Sequence, residues 1–105
     1  MKVFWTKFAL RSIAEIHRYY KENVSFRIAN NIKENILTST NQLEKYPQSG
    51  PVEELLKELN EEHRFILRGN YKIIYKIEGK NLYITDIFDA RQDPDKIKIR
   101  NQQSS

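Results

Sequence analysis

The chain has 105 residues, 39% hydrophobic and 30% charged, with three Gly, three Pro and no Cys. This length carries one core and excludes a second domain; the composition excludes low-complexity and collagen-like chains, and the lack of Cys excludes disulfides, a thiol nucleophile and thiolate metal sites. The formal charge of +4 and a pI near 9.3 point to an acidic or polyanionic partner, and neither a metal nor a cofactor is expected.

The first apolar run breaks at Thr6 and Lys7, too early for a secretion signal, and no later stretch reaches the ~18 apolar residues a membrane helix needs. A cytoplasmic, membrane-free protein is expected. Val3, Phe4 and Trp5 are β-formers, so residues 2–5 read as a strand, and Thr6 offers a hydroxyl to cap a helix. Ala9, Ile13, Ile16 and Tyr20 recur at helical spacing while Arg11, Glu15, Arg18 and Glu22 fall outside that stripe, which predicts an amphipathic helix to about Lys21. Ser25 caps a second helix whose stripe is Ala29, Ile32, Ile36, Thr40 and Leu43, ending near Tyr46 before Pro47. Two such helices joined by a few residues must pack as an antiparallel hairpin on one face of a sheet.

Pro47, Ser49, Gly50 and Pro51 make the strongest turn cluster, and residues 52–59 are a candidate short helix. From His63 the period becomes two. Residues 64–67 form one strand, Arg68, Gly69 and Asn70 a turn, and Tyr71, Ile73, Tyr75 and Ile77 the greasy face of the next strand. Glu78, Gly79, Lys80 and Asn81 turn the chain again. Residues 82–88 are apolar on both faces, as an interior strand requires. Asp93 and Pro94 are a helix-start signature. The expected fold is a single α+β domain over residues 1–100, of order β-α-α-β-β-β. It has a helical hairpin on one face of an antiparallel sheet, a short C-terminal helix or tail, and a flexible end over residues 101–105.

Charge is segregated along the chain. Residues 51–62 hold Glu53, Glu54, Glu58, Glu61 and Glu62 against Lys57; residues 63–80 hold Arg64, Arg68, Lys72, Lys76 and Lys80 against Glu78. If Phe65 and Leu67 point into the core, Arg64, Ile66 and Arg68 point away, and the same alternation turns Lys72 and Lys76 to that outer face. Arg91, just past the last strand, is placed to reach it. Such a cluster can hold phosphates and stabilise a phosphoryl-transfer transition state; it is also the ordinary pattern of a solvated sheet face whose bases pair with the acids upstream. His63 is a candidate general base or simply a strand-end residue, and His17 is structural or solvated. Trp5, with Phe4 and Phe8, is assigned to the core, and Asp86, Asp89 and Asp93 are too scattered for a metal site.

The opening strand ending in Trp5, the helix from Ala9 to Ile16, Leu43-Glu44-Lys45-Tyr46-Pro47 with Gly50, and the C-terminal strand trio followed by Asp89-Ala90-Arg91-Gln92-Asp93-Pro94 together resemble the RelE/ParE toxins of bacterial toxin–antitoxin pairs. The resemblance implies a small toxin neutralised by a cognate antitoxin. In this superfamily RelE-like members cut mRNA on the ribosome without a metal, using basic residues and often a late Tyr or His, whereas ParE-like members poison DNA gyrase. Arg64, Lys72 and Arg91 fall where the nuclease members place catalytic basic residues, with Arg68 and Lys76 as further nucleic-acid contacts and His63 or Glu62 as stand-ins for the late acid–base group. Ile66 lies where some nuclease members carry another basic residue, and neither Tyr nor His follows Arg91. The expectation is a ribosome-dependent mRNA endonuclease with ribosome, mRNA and antitoxin as partners. The alternatives are a ParE-like gyrase inhibitor and a non-toxic antitoxin-binding protein.

Overall fold

In a computed structural model, which describes residues 1–59 and 61–103, the chain runs β1 (Lys2–Trp5), α1 (Lys7–Asn23), α2 (Phe26–Ser39), α3 (Asn41–Lys45), a 3₁₀ turn (Glu54–Leu56), β2 (His63–Arg68), β3 (Tyr71–Glu78), β4 (Asn81–Asp89) and α4 (Lys96–Gln103). The expected α+β class and element order hold.

Both predicted helix caps form. Thr6 Oγ1 accepts from the Ala9 amide at 3.1 Å and also donates to the Ile84 carbonyl at 3.0 Å, so one side chain starts α1 and pins the end of β1 to β4. Ser25 Oγ accepts from the Ile28 amide at 3.1 Å. The second helix is shorter than its stripe implied. Ser39 Oγ donates to the Ile36 carbonyl and Thr40 Oγ1 to the Leu37 carbonyl; this local back-bonding favours a helix end, and the chain restarts as α3 with Leu43 still buried. Residues 52–59 form only the single 3₁₀ turn, because Val52 bridges to Arg64 and the Glu53 amide bonds the His63 carbonyl, which holds the segment against the edge of β2.

The sheet order is β1-β4-β3-β2. β2, β3 and β4 form the expected antiparallel meander, turning at Gly69 (φ 58°) and Gly79 (φ 60°), where glycine meets the left-handed conformation at no steric cost. The expectation of an antiparallel sheet fails at one pair: β1 lies parallel to β4. A tight turn forces its two strands antiparallel, whereas β1 leaves into the helical hairpin and its direction is set by where it docks.

A register shift at Ile74/Tyr75 leaves Thr85 as the extra residue of β4. The bulge resolves the two-sided apolar character of this strand. Leu82 and Ile84 before it and Ile87 after it all join the core under α1 and α2, with Ala9, Ile13, Ile36, Leu43, Ile66, Ile73 and Tyr75. Phe88 faces the other way, into a second core with Leu56, Ile74 and Ile97, against which Phe65 packs. The second face of the sheet is therefore partly covered by the 3₁₀ turn and α4. Of the end expected to be flexible, Asn101 is buried within α4, while Ser104 and Ser105 lie outside the described residues.

Candidate functional site

The direction of β2 decides what the basic residues can do. In the ladder Arg64 pairs with Tyr75, Ile66 with Ile73 and Arg68 with Tyr71, while His63, Phe65 and Leu67 pair with Lys76, Ile74 and Lys72. Ile66, Ile73 and Tyr75 belong to the core beneath the helices, so Arg64 and Arg68 rise from the helix side and Lys72 and Lys76 from the opposite side. The expected inward Phe65 and Leu67 with outward Ile66 are reversed: Ile66 is buried and Leu67 is exposed. The single row of Arg64, Arg68, Lys72 and Lys76 does not exist. A one-residue change of phase moves a whole strand to the other face, and Phe65 and Ile66 are equally good apolar signals.

The environment of each base follows from this. Lys72 Nζ lies 2.7 Å from Glu53 Oε2, whose side chain is 4% exposed, and 4.4 Å from the centre of the Phe65 ring. Lys76 Nζ sits 2.9 Å from Glu61 and 3.1 Å from Glu78; burial opposes its charge, but the two carboxylates outweigh burial and raise its pKa. Arg64 donates to the Gly50 carbonyl at 2.8 Å and reaches Glu62 at 3.4 Å. Gly50 is itself obligatory, since a Cβ there would come within 2.2 Å of the Phe65 carbonyl oxygen and 2.9 Å of the Tyr75 hydroxyl. His63 is buried, with Nδ1 3.1 Å from the Glu61 carbonyl; burial lowers its pKa, which keeps the ring neutral.

Arg91 belongs to a different group. It clamps Asp89 with Nε and Nη2 at 3.0 and 2.8 Å, and Nη2 lies 3.5 Å from the Tyr20 hydroxyl, which accepts a 3.3 Å bond from Tyr71. The arginine holds the Asp89 carboxyl below its usual range, and burial with the Tyr20 contact raises Tyr71. The group lines a cleft of about 290 Å³ that also receives Glu15, Tyr19 and Arg100. Arg68 is exposed and lines a smaller hollow on the other side of Tyr20 and Tyr71, with Asn35 and Asn70.

One network escaped the sequence reading. Asp86, 1% exposed, accepts a forked bond from Arg100 (2.9 and 2.8 Å) and a 3.1 Å bond from Ser12, which also accepts from Arg100 at 3.0 Å. Ser12, Asp86 and Arg100 are far apart in the chain, and no spacing rule connects them.

A family profile described as "ParE toxin of type II toxin-antitoxin system, parDE" matches residues 3–94. The chain belongs to that ParE toxin family. Among solved structures, the chain is similar to one described as "Chromosomal ParDE TA system from P. aeruginosa", with a TM-score of 0.72 and 18% identity, over 87% of this chain and 97% of the other; at that identity the likeness concerns the fold. A search of curated proteins finds no match. As a ParE-family toxin of a type II system, the protein has an antitoxin as its partner. Among the described residues no helix is long and apolar enough to cross a membrane.

Proposed function

We propose that this toxin acts on DNA gyrase rather than cutting mRNA. The observation that carries the reading is the state of its cations: Lys72, Lys76 and Arg91 each lie within 2.7–2.9 Å of a carboxylate, and Arg64 is separated from both lysines by the sheet. A nuclease that works by charge stabilisation needs several cations converging on one phosphate, already oriented and free to meet it. Here Lys72 would have to leave Glu53, which would strand a buried carboxylate at a cost of several kcal/mol. His63 is buried and lies on a different face from Arg64. The family profile and the lack of Tyr or His after Arg91 support the same reading.

Two parallel assays on the purified toxin test it. With gyrase and relaxed plasmid, the toxin is expected to inhibit supercoiling and to accumulate cleaved, enzyme-linked DNA. In a purified translation reaction, primer extension is expected to show intact mRNA. Ribosome-dependent mRNA ends together with unimpaired supercoiling would reverse the assignment. Neutralisation by the cognate antitoxin in the gyrase assay controls for contaminants.

A further inference from the structure

On the side of the sheet away from α1 and α2, three strands present a small ordered array. Phe4, Tyr83 and Lys76 share one cross-strand row, and Lys2, Asn81 and Glu78 share the next row on the same face. The 3₁₀ turn and α4 pack on this face around Phe65, Ile74 and Phe88, while on the β1 side Lys2 and Phe4 are exposed. Phe4 was expected in the core, but β1 turns Val3 and Trp5 towards the helices, and Phe4 stands 42% exposed in the solvent. Its ring stacks against Tyr83 with centroids 5.6 Å apart and planes 25° apart. The Tyr83 hydroxyl lies 3.5 Å from Asn81 Nδ2. Lys2 and Lys80, at the corner where β1 meets the turn before β4, are exposed and have no carboxylate partner among the described residues.

We infer that this array is a stacking platform for single-stranded nucleic acid. A stacked pair of rings on a sheet offers a π-face to a base of any sequence. Lys2 stands two residues from Phe4 on the same face, and Lys80 adjoins Asn81 in the neighbouring row, so a strand that places a base on Phe4 would run its phosphates towards this corner. Two partly buried rings are too small a patch for a second copy of the chain, since a stable interface buries about 1,200–2,000 Å². Lys2, Lys76 and Lys80 outnumber the two carboxylates at the array, Glu61 and Glu78, and the excess positive charge complements phosphate. The inference stands apart from the gyrase reading and uses none of the residues near Arg91.

The test is fluorescence anisotropy of labelled dT12 and rU12 strands, and of a dT12·dA12 duplex, titrated with the full-length toxin. Single strands are expected to bind at least tenfold more tightly than the duplex. Phe4→Ala and Tyr83→Ala are each expected to weaken single-strand binding about tenfold, while Phe4→Trp retains it. Lys2→Ala and Lys80→Ala should each lower the slope of log affinity against log salt by about 0.7, the value for one phosphate contact on a single strand. Unchanged far-UV circular dichroism confirms that each variant is folded. Equal affinity of wild type and Phe4→Ala, equal affinity for strand and duplex, or loss of binding only on Arg68→Ala would each overturn the assignment. Self-association that Phe4→Ala abolishes, with no oligonucleotide binding, would replace it with a contact between copies.

Discussion

His63 has acidic neighbours in the sequence, a setting that ordinarily favours the charged imidazolium, yet burial dominates and lowers its pKa from 6.5. The unfolded chain protonates this ring near 6.5 and the folded chain only at lower pH, so the unfolded state binds more protons in between. Stability from neutral His63 is complete above about pH 6.5 and falls as the pH drops towards the lowered folded value. A His63→Gln variant is therefore expected to lose less stability than wild type between about pH 7.5 and pH 5.5, measured as the shift in urea midpoint. An identical shift in both proteins would show that His63 is not the group that takes up the proton. In the sequence His63 was a visible candidate; its burial was not, because that depends on Val52 and Glu53 returning to the edge of β2.

At the scale of elements, α4 has little amphipathic character, and its attachment rests on Ile97 in the second core and on the fork between Arg100 and Asp86. Removing one partner of a buried ion pair leaves an uncompensated charge. Arg100→Ala is expected to destabilise the protein by about 3 kcal/mol in urea denaturation and to speed amide exchange in α4 more than in β3. The double variant Asp86→Asn/Arg100→Ala should recover a good part of that loss, since no charge stays buried. If Arg100→Ala costs as little as an exposed ion pair, under about 1 kcal/mol, the fork does not hold the helix. β2 has Phe65, Ile66 and Leu67 in succession, so period-two reasoning finds the strand but has no preference between its faces.

For the whole molecule, two cores share one sheet: Ile73 supplies the first and its neighbour Ile74 the second. Neither core is complete without β3, so the chain is expected to unfold as one unit, as single domains of this size generally do. The urea transition followed by Trp5 fluorescence, which reports the first core, is expected to coincide with that followed by circular dichroism of the whole backbone. A second-core melt at lower urea would separate the curves. The chain alone was enough for the α+β order, the two caps at Thr6 and Ser25, both glycine turns and the superfamily, because each rests on local spacing, local conformation or the order of local motifs. The pairing of Arg64, Lys72 and Lys76 with the acids just upstream was legible as the ordinary alternative to a phosphate site, but the parallel seat of β1, the Thr85 bulge, and the two faces that divide Arg64 and Arg68 from Lys72 and Lys76 were not. These depend on free energies of packing and desolvation between residues far apart in the chain, which no local pattern encodes.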